Sequence, residues 1–172
     1  MRRTMVALLT LALSVAGPSA VAAADPEVAA PVAAPYALIT LTAIPNGWQE
    51  RTDLRPVLEV FSDGRAVQKP DAVDAQRKPE TPPQELTGTI RPDALQSALK
   101  EIRDLASADF GTPATNDRGV QIIDLMPQPP DQDVHLIVYS PEVVDGFGND
   151  QRTVRQRFAA VYRALLDAFV KD

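Results

Sequence analysis

Pro56-Val-Leu-Glu-Val-Phe-Ser-Asp-Gly-Arg-Ala-Val-Gln68 is the stretch on which the fold turns. Two β-prone runs, Pro56 to Ser62 and Arg65 to Gln68, flank Asp63-Gly64, a dipeptide that strongly favours a hairpin. The spacing predicts a two-residue type I′ turn, whose central residues both need positive φ. A hairpin makes the sheet around it antiparallel, and the neighbouring segments fit that lead. Upstream, Tyr36 to Ile44 (YALITLTAI) has the composition of a strand and ends in a Pro45-Asn46-Gly47 turn. Downstream, Lys69 to Gln84 is Pro-rich and without period, so it reads as a loop excursion. Leu86-Thr-Gly-Thr-Ile90 is then a short strand that leads straight into a helix.

That helix is well marked. Pro92 suits its first turn, Asp93 suits the positive end of its dipole, and Leu95, Ala98, Leu99, Ile102 and Leu105 share one face. After an Asn116-Asp117-Arg118-Gly119 turn come two more strands, Val120 to Met126 and Asp133 to Ser140. The second is the more apolar and is expected to be the most buried strand. Asn149 or Asp150 caps a last helix, where Val154, Phe158, Val161, Tyr162, Leu165 and Phe169 form a broad apolar stripe. The expected class is α+β: an antiparallel sheet of about five or six strands with two helices packed on one face.

The chain opens with a different signal. Arg2 and Arg3 precede an apolar run from Met5 to Val15, Gly17-Pro18 breaks it, and Ala22-Ala23-Ala24 offers small residues for cleavage before Asp25. This is the grammar of a secretory signal peptide over residues 1–24, too short for a membrane span. Residues 25–35 are rich in Ala and Pro and read as a disordered tether, leaving 36–172 as one domain. The expected location is therefore secreted, periplasmic or envelope space. With 0 cysteines the chain can be neither lipid-anchored through a cleavage-site thiol nor braced by disulfides, so its core alone must hold it. Removing Arg2 and Arg3 from 17 basic residues leaves 15 against 23 acidic, a net charge of −8. Without a basic block, nucleic acid and anionic membrane are poor partners.

Chemistry-bearing residues are sparse. His135 is the only histidine and shares a strand face with Ile137 and Tyr139. Asp124 and Glu59 are acids inside strands; if they converged with His135 they could serve a small hydrolase or metal-dependent enzyme as acid and base. Ser62, Ser97, Ser107 and Ser140 are present, but none lies in a Gly-x-Ser-x-Gly elbow. The turns Asp131-Gln-Asp133 and Asp145-Gly-Phe-Gly-Asn-Asp150 collect oxygen ligands without matching a calcium loop, so no metal and no cofactor is expected. Trp48 is the only tryptophan; with Arg51 and Arg55 it is either an exposed interface anchor or a lid folded over the core. Arg152, Arg155 and Arg163 read as a solvated face of the last helix, with Arg163 and Asp167 spaced for an i,i+4 pair.

The pattern Leu58-Glu-Val-Phe-Ser-Asp-Gly64, the Pro-rich excursion, Leu86-Thr-Gly-Thr-Ile90 and the helix from Pro92 resembles small exported actinobacterial proteins of unassigned function. The likeness covers the middle third of the chain and implies no catalytic residues. Two readings of function follow. One is a non-catalytic binding or accessory domain that meets an envelope or secreted protein through Trp48, Arg51 and Arg55. The other is a small secreted hydrolase built on His135 with an acidic residue.

Overall fold

The computed structural model describes residues 34–48, 50–114 and 118–172; the expected leader and most of the expected tether, up to residue 33, lie outside them. Seven strands and two helices follow one another as β1 (Ala37–Ile44), β2 (Leu58–Phe61), β3 (Arg65–Gln68), β4 (Leu86–Ile90), α1 (Pro92–Asp104), β5 (Val120–Leu125), β6 (Val134–Tyr139), α2 (Asn149–Asp167) and β7 (Phe169–Lys171). One antiparallel sheet holds all seven strands in the order β6-β5-β1-β2-β3-β4-β7. The α+β class is as the sequence predicts.

The hairpin at its heart differs in detail. Val60 pairs with Ala66, and Ser62, Asp63 and Gly64 form a three-residue loop. Gly64 alone takes positive φ (+86°), and its N–H donates to the Phe61 carbonyl oxygen at 2.9 Å. A type I turn ending in a left-handed glycine satisfies the hairpin with one such residue, so Asp63 stays in ordinary space. Its carboxylate instead accepts from the Arg65 backbone N–H at 3.1 Å.

From β4 the chain crosses by α1 to β5, on the far side of β1; from β6 it crosses by α2 to β7, at the opposite edge. Both helices cover the same face, and each runs against the strands it links. Because β5 and β6 are antiparallel, α1 and α2 are antiparallel too. The core lies beneath them. Ile39, Leu41, Leu58, Val60, Ile123, Leu125, Leu136 and Val138 point up from the strands, and Leu95, Ile102, Phe158 and Leu165 point down.

Three expectations are corrected. β6 is an edge strand, not the most buried one: Ile137 and Tyr139 are 45% and 43% exposed on the face away from the helices. Strand order, invisible to local composition, decides this. The last helix ends at Asp167, and Phe169 belongs to β7, where it pairs with Ile90 and completes the free side of β4. Its N-cap is Gly148, one residue before the predicted caps, with the Gln151 side chain accepting from the Gly148 N–H at 3.4 Å.

Arg155 is the largest correction, since it is buried and not solvated. Its Nε donates to Val143 O at 3.2 Å and Nη1 to Phe110 O at 3.1 Å; Nη2 donates to Tyr139 O at 2.8 Å and Ser140 O at 2.6 Å. The guanidinium also lies 4.3 Å from the Phe147 ring centroid. Burial pushes its pKa down, yet arginine remains a cation in any such setting. Beside it Ser140 holds φ +44°, the one non-glycine residue with positive φ among those described.

Arg155→Met should therefore lower unfolding free energy by about 3 kcal/mol, since charge-assisted hydrogen bonds contribute about 1.5–3 each and solvent can recover only part; urea denaturation measures it. Gly88→Ala should cost about 1–3 kcal/mol by overpacking. A Cβ there would lie 2.2 Å from the Val170 carbonyl oxygen. Hydrogen exchange should show β7 amides opening while β1 and β5 stay protected.

Candidate functional site

Sheet register gathers the candidate acids and the histidine on the face opposite the helices. Asp124 pairs with His135 on one side and with Thr40 on the other, and Thr40 pairs with Glu59. His135, Asp124, Thr40 and Glu59 thus form one row across four strands. Within it, His135 Nδ1 and Asp124 Oδ1 are 2.7 Å apart, and the Thr40 hydroxyl donates to Asp124 Oδ2 at 3.4 Å. If Nδ1 carries the proton, Nε2 is left as an acceptor facing solvent, where the side chain is 56% exposed.

The row contains half of a catalytic set. Thr40 gives its hydroxyl to Asp124 and not to the imidazole, so the residue nearest to a nucleophile is not activated. Glu59 lies two strands from Asp124, about 10 Å at ordinary strand spacing. Its Oε2 is held by Lys69 Nζ at 2.6 Å. Each carboxylate has its own partner, Lys69 for Glu59 and His135 with Thr40 for Asp124, and the register does not bring the two together. Among the described residues no group of three or more acids, histidines or cysteines could hold a metal ion.

Trp48 turns inward. It is 9% exposed, with the Arg51 guanidinium 3.8 Å and that of Arg77 5.6 Å from its ring centroid. Arg51 grips Asp53 through Nε at 2.7 Å and Nη2 at 2.5 Å, and Arg77 reaches the same carboxylate at 2.9 Å. Arg77 also donates to Ala72 O and Thr81 O. The loop after β1 and the long loop after β3 are therefore clasped around one indole. The indole is buried between these loops and is not part of the core cluster beneath the helices. Arg55 is exposed and donates to the adjacent Leu54 carbonyl at 2.8 Å.

A second site, which the sequence reading missed, lies on the helix side of the sheet. Three hollows of about 330, 260 and 110 Å³ share lining residues; the first two are bordered by the C-terminal half of α2, and the smallest by the loops and strand ends beside it. Gln121 lines all three. The largest is walled by Ala43, Val57, Pro70, Val73, Tyr162 and Leu166. The other two share Pro141 and Glu142; one adds Arg163 from α2 and the other adds Arg118. Gln121 and Gln68 belong to the strand positions that face the helices, where β5 and β3 otherwise carry Ile123, Leu125 and Ala66. A polar amide on the core side marks where α2 no longer fills the space above the sheet. The Tyr162 hydroxyl is buried there, has no hydrogen-bond partner among the described residues, and has its pKa raised by desolvation.

Two further hollows are poorer candidates. A groove of about 350 Å³ runs between the outer sides of α1 and α2, lined by alanines, and its polar residues Glu101 and Arg157 already pair at 2.7 Å. The other, about 410 Å³, sits by Phe61, Arg65 and the terminal Asp172. Neither has an unpartnered buried group. Comparison with protein-family models, curated proteins and solved structures finds no match to this chain.

The clasp makes an acid-sensitive reporter. Arg51 and Arg77 beside Asp53 hold its carboxyl down at about 2, against an ordinary 3.8. A depressed carboxylate contributes stability that is complete above about pH 4 and is lost as pH falls through 2. Trp48 fluorescence should shift across that window, and Asp53→Asn should show the loosened spectrum already at pH 7.

Proposed function

We propose that the 34–172 domain is a non-catalytic binding domain acting outside the cytoplasm, and that it takes a small amphipathic molecule in the cleft beneath α2. The observation that carries this reading is the meeting of three hollows at Gln121, with apolar walls and few polar groups. Ligand sites have this character: concave, mostly apolar, with a small number of placed hydrogen-bonding groups, and about 300–1,000 Å³ in volume. The leader-like residues 1–24 and the resemblance to small exported actinobacterial proteins support the location. No helix among the described residues is long and apolar enough to cross a membrane.

A partner surface on Trp48 and Arg51 is not carried into this proposal, because both side chains are engaged in the clasp. The hydrolase reading keeps one favourable observation, the 2.7 Å contact of His135 with Asp124. Among the described residues no hydroxyl is hydrogen-bonded to the imidazole.

The cleft predicts saturable binding of the apolar anionic dye anilinonaphthalene sulfonate to the folded chain, at one site by fluorescence titration. Ala43→Leu fills the floor of the largest hollow and should weaken that binding at least ten-fold with the circular dichroism spectrum unchanged. Equal binding by the variant, or none by the native chain, overturns the proposal.

A further inference from the structure

We infer that the cleft selects amphipathic monoanions, with the apolar body between α2 and the loop after β3 and the carboxylate or phosphate head between Arg118 and Arg163. This rests on the cleft being the binding site and adds the class of ligand that it takes. The division is written in the walls. The largest hollow offers hydrocarbon: Ala43, Val57, Val73, Pro70 and Leu166. Lys69 also borders it, but its ammonium is spent elsewhere, 2.6 Å from Glu59 and 3.5 Å from Glu85. Only its stem is available, as is usual when a lysine head is drawn to another partner.

The charged end is different. Arg163 lines one of the smaller hollows and Arg118 the other, and both are exposed. Neither forms an ion pair among the described residues. Glu142 borders both hollows, so among the described residues that line them two guanidinium groups stand against one carboxylate, a balance of one positive charge. A single negative head completes it. The chain as a whole is acidic, with net charge −6, so an anion gains nothing from the long-range field. Its recognition must be made at contact range, and forked guanidinium groups suit planar carboxylate or tetrahedral phosphate. Between head and body, the Gln121 amide, which lines all three hollows, can hydrogen-bond to a ligand.

The test uses three probes with one body and different heads: dodecanoate, dodecanol and dodecyltrimethylammonium, each below its micelle concentration, titrated into the full chain by calorimetry. Dodecanoate should bind at least ten-fold more tightly than dodecanol, with the ammonium weakest. The double variant Arg118→Glu with Arg163→Glu, both on exposed positions, should erase the preference for carboxylate and leave dodecanol binding intact. Amide shifts should map to Gln121 and Ala43. Equal affinity for all three heads, or a preference that survives the double variant, overturns the anion selection and leaves the cleft standing. Binding of none of them, or shifts confined to the α1–α2 groove, overturns the cleft along with it.

Discussion

A buried guanidinium organises the least regular part of this domain. Arg155 collects four carbonyl oxygens from three separate segments: the end of β6, the loop that follows it, and the stretch after α1. Tyr139 holds the last register position of β6, opposite Val120, and the Ser140 carbonyl also accepts from the Val143 N–H at 2.9 Å, so the guanidinium fastens the two loops to the end of the ladder. By drawing in Tyr139 O and Ser140 O together, it holds Ser140 in a left-handed conformation that such residues seldom adopt. The chain is thereby redirected at once from the sheet edge into Pro141 and Glu142. Those two residues form the far wall of the cleft beneath α2, so its shape depends on a cation that never faces it.

The two sides of the sheet handle polarity differently. Opposite the helices, Asp124 and Glu59 are tolerated because each is half-exposed and carries its own partner. Beneath the helices, Gln121 and Gln68 interrupt an apolar surface where a hydrocarbon side chain would ordinarily sit. A row of solvated acids is an ordinary outer sheet face. An amide facing a hollow under a helix is the departure from that pattern, and the Tyr162 hydroxyl near it is buried with no hydrogen-bond partner among the described residues.

Much of the fold was legible because its signals are local. The Asp63-Gly64 turn, the spacing of Leu95, Leu99 and Ile102, and the stripe from Phe158 to Leu165 each depend on residues within a few turns of one another. What was not legible depends on strand order. Nothing in Val134 to Tyr139 tells that it lies at an edge, and Phe169 to Lys171 is too short to show a period; its strand identity comes from the open side of β4. The row of His135, Asp124 and Glu59 could be suspected from composition, but only register places Thr40 between the two acids. Arg155 was readable in principle, since it falls three residues before Phe158 and seven before Tyr162, inside the apolar stripe. Its sign as a charge hid its position. Gln121 is readable in the same way, two residues before Ile123 on the same face, but a lone amide in a strand carries no signal of its own.

The position of β1 has a consequence for how quickly the chain can find its structure. β1 is an interior strand bordered by β2, near in sequence, and by β5; Thr40 and Asp124, which touch across that second border, are 84 residues apart. The last crossover then carries the chain over the whole sheet to close its other margin. Closing such distant pairs costs loop entropy before any burial repays it, and topologies of this kind fold slowly. The four-strand meander can assemble early, but its apolar face gains its full cover only when both helices are in place. Folding is then a late, whole-chain event, and until it completes the alternating strands leave open margins on which other chains can pair.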